Sequence, residues 1–177
     1  MRLRRLLVSA IIAIALSPLV VATHGATASA VNPPIPRCSR LVIAAGTTEG
    51  GLGTGSLVIL LANAGKRCEI EGYPRVQLFN VHGSLINTVN LHKSSMFYAE
   101  PRPRNIVLPH NGVASVGLSW GDNPVGNETC SRASWATIML PENVVIQANS
   151  PSVSATPCGQ DLFVTPIEAG PIPAPNG

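Results

Sequence analysis

After residue 30 the hydrophobic positions alternate with polar ones far more often than they recur at helical spacing. Val113 to Trp120 shows this best. Ala114, Val116, Leu118 and Trp120 face one way, and Ser115, Gly117 and Ser119 the other, the period of two expected of a strand with unlike faces. Arg75 to Val81 puts Val76 and Leu78 on one face, and His82-Gly83 then suits a tight turn into Ser84 to Leu91. Ser56 to Ala62 is apolar almost throughout, as in a central strand buried on both sides. Arg40 to Ala45, Ser134 to Leu140, Val144 to Ala148 and Asp161 to Thr165 complete about eight short strands. No stretch keeps the i, i+3, i+4, i+7 pattern over three turns. The expected class is all-β, an antiparallel sandwich, and a closed barrel would give much the same pattern.

Three connections stand out. Gly46 to Gly55 carries five glycines and reads as a flexible link between strands. Gly50 to Gly55 superficially resembles a phosphate-cradling loop, but such loops open a helix and this one opens a strand. Leu91 to Asn105 is long and polar. Glu168 to Gly177 is a Pro/Gly tail with little to bury, expected to be disordered.

Residues 1–30 have a composition of their own. Arg2, Arg4 and Arg5 precede an apolar run from Leu6 to Ala22, and Ala26-Thr27-Ala28 and Ala28-Ser29-Ala30 offer small-residue cleavage sites. This is the pattern of a cleavable signal peptide, broken by Ser17-Pro18 and too short for a membrane span. The expected organisation is a signal peptide at 1–30, a sandwich domain at 31–167 and a tail at 168–177. The expected localisation is secreted, extracellular or cell-wall associated, with no membrane anchor after cleavage. The charge picture changes too. The chain has 12 Lys and Arg against 9 Asp and Glu, and loss of Arg2, Arg4 and Arg5 leaves nine against nine. The mature domain is then near neutral, and no nucleic-acid partner is expected.

All four cysteines follow the signal segment, as in a disulfide framework for an oxidising compartment. Cys38 precedes one strand-like run and Cys68 follows the next, so a hairpin would bring them together. Cys130 and Cys158 flank the last pair of runs in the same way. These pairings, Cys38–Cys68 and Cys130–Cys158, are expected among the three that four cysteines allow. No cysteine pair has zinc-ligand spacing.

The segment Leu57 to Gly83 runs from a buried strand into Asn63-Ala64-Gly65, Cys68, Gly72-Tyr73-Pro74, Val76-x-Leu78 and a turn glycine. It resembles the actinobacterial secreted-protein family known as domain of unknown function 4232. Two further blocks agree: Leu108-Pro109-His110-Asn111-Gly112 leading to a strand that ends in Trp120, and Cys130 with Cys158 before Leu162 to Pro166. The resemblance spans residues 38 to 167. It implies an immunoglobulin-like β-sandwich and an envelope or extracellular location, and it brings no catalytic residues. In Gly72-Tyr73-Pro74 the glycine permits a turn, the proline fixes φ, and Tyr73 can bury its ring with its hydroxyl on a backbone partner.

No G-x-S-x-G, H-E-x-x-H or Walker sequence occurs. His82, His92 and His110 sit in separate expected loops, and Glu69 and Glu71 share one face of an extended segment. No catalytic residue, metal or cofactor is assigned. Asn127-Glu128-Thr129 matches a glycosylation pattern. The candidate binding residues are Met96, Phe97, Tyr98, Arg102 and Arg104, interface-type side chains concentrated in one polar loop. The alternative for that loop is a crossover whose aromatics tuck under the sheet edge. The functional expectation is a non-catalytic binding or interaction module with an unknown protein or envelope ligand as partner. The rivals are a secreted hydrolase with a site assembled from scattered Ser, His and Glu, and a purely structural envelope component. With aromatics at 4%, a carbohydrate platform is less attractive.

Overall fold

The computed structural model describes residues 33–99, 102–141, 143–149 and 153–172. The expected signal peptide and residues 173–177 lie outside the described residues. What is described contains strands and no helix: β1 (Leu41–Gly51), β2 (Thr54–Asn63), β3 (Cys68–Ile70), β4 (Arg75–Phe79), β5 (Leu85–Ile86), β6 (Val89–Leu91), β7 (Ile106–Leu108), β8 (Val113–Gly121), β9 (Trp135–Met139), β10 (Val145–Asn149), β11 (Asp161–Val164) and β12 (Glu168–Ala169).

One sheet runs β1-β2-β8-β11-β6 with β12 also on β8, a second runs β10-β9-β4-β5, and β3 and β7 form a small third. Strand β2 pairs along its length with β1 and, from Thr54↔Gly121 to Ala62↔Val113, with β8. The apolar run thus sits in the middle of the larger sheet, where both faces are covered. Leu57, Ile59 and Leu61 of β2, Val116, Leu118 and Trp120 of β8, and Leu162 and Val164 of β11 meet Val76, Leu78, Ala136 and Ile138 of the second sheet in one core. Burying each large aliphatic side chain stabilises by about 1.5–3 kcal/mol relative to exposure.

The other face of β8 is covered as well, which explains its small residues. The Tyr98 ring lies on Gly117, where an added Cβ would stand 2.9 Å from Tyr98 Cζ. Thr165 Oγ1 accepts from Gly117 N at 2.9 Å. Ser115 Oγ donates to the Gly170 carbonyl at 2.6 Å and accepts from Ile172 N at 3.0 Å.

Both expected disulfides are formed, Cys38–Cys68 and Cys130–Cys158, at the open end of the β1–β2 hairpin and beside the β9–β10 hairpin. The turn at His82-Gly83 is also formed, with Gly83 at φ 77° and Asn80 Oδ1 accepting from His82 N and Ser84 N.

Several expectations need correction. The pairing is not wholly antiparallel, because β11 pairs β6 in parallel. Gly46 to Gly55 is mostly strand: β1 continues to Gly51 and only Leu52-Gly53 turns, since an edge strand holds by backbone bonds that ask little of side chains. Ser84 to Leu91 is two strands, β5 with β4 and β6 with β11. The Asn90 side chain ties the second sheet to this crossing, accepting from Val76 N at 2.6 Å and donating to Val76 O at 2.8 Å. The segment from Glu168 is not all tail, because Glu168 and Ala169 pair with Ser115 and Ala114. Among the described residues no helix is long and apolar enough to cross a membrane.

Candidate functional site

The β1–β2 turn is the starting point. Gly51 and Thr54 are the last pair, and Leu52 (φ 54°) and Gly53 (φ 82°) between them both have positive φ. This is the two-residue hairpin geometry that matches strand twist and favours Asn-Gly. Asn111 and Asn143 also have positive φ, but asparagine tolerates that region and a γ-branched leucine does so at a cost of about 1–2 kcal/mol. Leu52 is moreover 96% exposed, so it contributes nothing to the core in return.

The turn is held against the following loop. Asp122 N donates to Gly53 O at 3.0 Å, and the Asn123 amide lies on the Gly53 Cα. The loop closes on itself through Val125 N, which donates to Glu128 Oε2 at 3.1 Å. Cys130–Cys158 then fixes it to the approach of β11, where Cys158 N donates to Gly121 O at 2.8 Å.

Between these segments lies a cleft of about 1030 Å³. Ser119 and Trp120 are among the residues that line it, and the exposed apolar side chains Leu52, Met96 and Val125 stand around it. Ser119 Oγ is buried and has no hydrogen-bond partner among the described residues, an arrangement that costs about 1–3 kcal/mol unless something else satisfies the group. Among the described residues its carboxylates are Glu128 and Asp161, and no Lys, Arg or His lines it. Such a lining suits a ligand that is neutral or cationic and has an apolar part.

A family model described as Domain of unknown function (DUF4232) matches residues 38–168. The chain belongs to that family. No curated protein and no solved structure matches it. The DUF4232 span takes in both disulfides and every part of the cleft described above.

Within that DUF4232 span the five loop candidates separate. Met96 is exposed and lines the cleft. Phe97 is half-buried, its ring tilted against Tyr98 at 6.5 Å. Tyr98 is buried over Gly117, and burial pushes its hydroxyl above the usual range, with Ser56 opposing and the Glu49 carboxylate adding to the rise. Arg102 and Arg104 are exposed and do not line the cleft. Only Met96 of the five reaches it.

The histidines are dispersed. His82 is in the β4–β5 turn, the His92 ring stacks on Tyr73 at 4.2 Å, and His110 Nδ1 donates to Gly65 O at 2.9 Å. Among the described residues no group of three or more His, Cys, Asp and Glu could hold a metal ion. Glu69 is engaged by Arg37 at 3.6 Å and by Asn105 Nδ2 at 2.9 Å, while Glu71 is exposed. Asn127, Glu128 and Thr129 line the cleft. Sequence reasoning passed over Leu52, Ser119 and Val125. The available signal was an isolated leucine between two glycines.

Proposed function

We propose that the protein is a non-catalytic binding module of the cell envelope or extracellular space, and that the Leu52 cleft takes a neutral or cationic ligand with an apolar part. Two disulfides fit an oxidising, non-cytoplasmic compartment, and residues 1–30 carry the pattern of an export signal. The observation that carries the binding reading is Leu52. A large apolar side chain is held fully in solvent on a backbone conformation it disfavours, and strain of this kind is concentrated at functional sites. The test is a parallel capture from envelope extract with the wild type and Leu52→Asn, which suits the turn better. A species retained by the wild type and lost with a stably folded Leu52→Asn supports the reading. Equal retention by both, or retention by neither, overturns it.

A further inference from the structure

The opposite end of the β1–β2 hairpin carries a second, differently charged pocket. Outside Arg2, Arg4 and Arg5 the sequence holds nine Lys and Arg, and Arg37, Arg40, Lys66 and Arg67 line one pocket of about 300 Å³. Among the described residues no acidic one lines it. In a domain with balanced charge this is a local excess that needs a reason.

The pocket is also firmly built. Cys38–Cys68 joins its two walls, and Cys38 N donates to Glu69 O while Glu69 N donates to Pro36 O. The Arg40 stem lies against Gly65, 3.2 Å from where a Cβ would stand, and Ala64 N donates to Arg40 O. The buried Asn63 amide donates to Lys66 O and Pro109 O and accepts from Gly65 N. The turn carrying Lys66 and Arg67 is therefore fixed to the segment that carries Arg40, just ahead of β1. Glu69, the neighbouring carboxylate, is already engaged by Arg37 and Asn105. Among the described residues no carboxylate pairs with Arg40, Lys66 or Arg67.

We propose that this pocket binds an oxyanion, a phosphate or carboxylate group, with Arg40, Lys66 and Arg67 supplying the charge. Arginine forks match such groups two bonds at a time and lysine adds a point charge. The volume of about 300 Å³ is large enough for a phosphate or carboxylate group. The anion is either a free small ion or one of many along a polymer, and two probes separate these sources.

The oxidised protein is titrated with inorganic phosphate and, separately, with linear polyphosphate, following backbone amide signals by NMR. Saturable shifts confined to residues 37–40 and 63–68 are expected. Arg40→Gln/Lys66→Gln/Arg67→Gln should weaken binding by at least about tenfold, the worth of a single charge-assisted contact, with the melting midpoint unchanged. Arg132→Gln, a charge outside this pocket, should leave binding unchanged. Tighter binding per phosphate for the polymer assigns the site to a polymeric anion, and equal binding assigns it to a free one. Absence of saturable shifts there, or shifts that persist in the triple variant, overturns the proposal. The cleft reading stands or falls separately, because its variant lies at the other end of the hairpin.

Discussion

Where the β1–β2 hairpin opens, Cys38–Cys68 joins two segments around a lining of Arg37, Arg40, Lys66 and Arg67. Where the hairpin closes, about 30 Å away along the strands, Cys130–Cys158 stands beside a lining that, among the described residues, contains Glu128 and Asp161 and no cation. The same device, a loop stapled at a sheet end, is thus used twice with opposite charge. The ends differ in what they ask of the fold. The cations are exposed on an unstrained chain and stand free of the core. The closing end holds a leucine in a left-handed conformation and buries a serine hydroxyl without a partner among the described residues. Neither feature adds stability, so selection for stability alone does not account for that end.

Removing the staples should have the largest effects. Their sequence separations are 30 and 28, so chain entropy alone gives about 3–4 kcal/mol for each. Cys38 and Cys68 belong to the buried core whereas Cys130 is exposed. Cys38→Ala/Cys68→Ala should therefore cost more than Cys130→Ala/Cys158→Ala in urea unfolding. Equal losses would break the distinction between a core staple and a surface one.

Tyr98 serves both ends by covering the sheet between them. Tyr98→Ala should cost about 3 kcal/mol in thermal unfolding, whereas Tyr98→Phe should change stability by no more than about 1 kcal/mol, since the ring does the covering and the hydroxyl has only Ser56 to bond. Its raised pKa also gives a pH signature. Above the ordinary value of 10.0 the unfolded chain loses this proton before the folded one does, so Tyr98 lowers stability as pH rises past that point. Tyr98→Phe should remove that part of the alkaline loss.

Leu52→Asn should raise stability by about 1 kcal/mol by relieving the turn, read as a higher melting midpoint. A lower midpoint would mean the leucine is structural and would remove the contrast between the ends. The smallest effect belongs to the cations. Arg40→Gln, Lys66→Gln and Arg67→Gln should each change stability by no more than about 0.5 kcal/mol, at high and low salt alike.

The sequence made the central strands readable because their side chains do the packing. The alternation in Val113 to Trp120 and the apolar run in Ser56 to Ala62 are direct records of burial. The disulfide pairing was legible for a related reason, since each pair brackets two neighbouring strands. The outer half of β1 was not, because Gly46 to Gly51 contributes backbone bonds and little side-chain pattern. Strands β3, β7 and β12 have only two or three residues each, too few for any period to show. The parallel pairing of β6 with β11 depends on a meeting of segments some seventy residues apart. The loop candidates misled in part because Tyr and Phe suit an interface and a buried cover equally well. The cleft was hidden because its walls come from five separate stretches, and Leu52 looked like one residue in a glycine run.

The position of β8 sets a schedule. Its neighbour on one side, β2, is made before it, and its neighbours on the other, β11 and β12, are made after it. A chain released N-terminus first can close the β1–β2 hairpin and join Cys38 to Cys68 early, through local contacts that form fast. Cys130 then emerges with no thiol left to mispair with, and waits for Cys158 to arrive 28 residues later. The residues that line the basic pocket are therefore all made while most of the chain is still to come, its support at Pro109 follows, and the cleft, whose lining includes Phe163, is among the last features to exist.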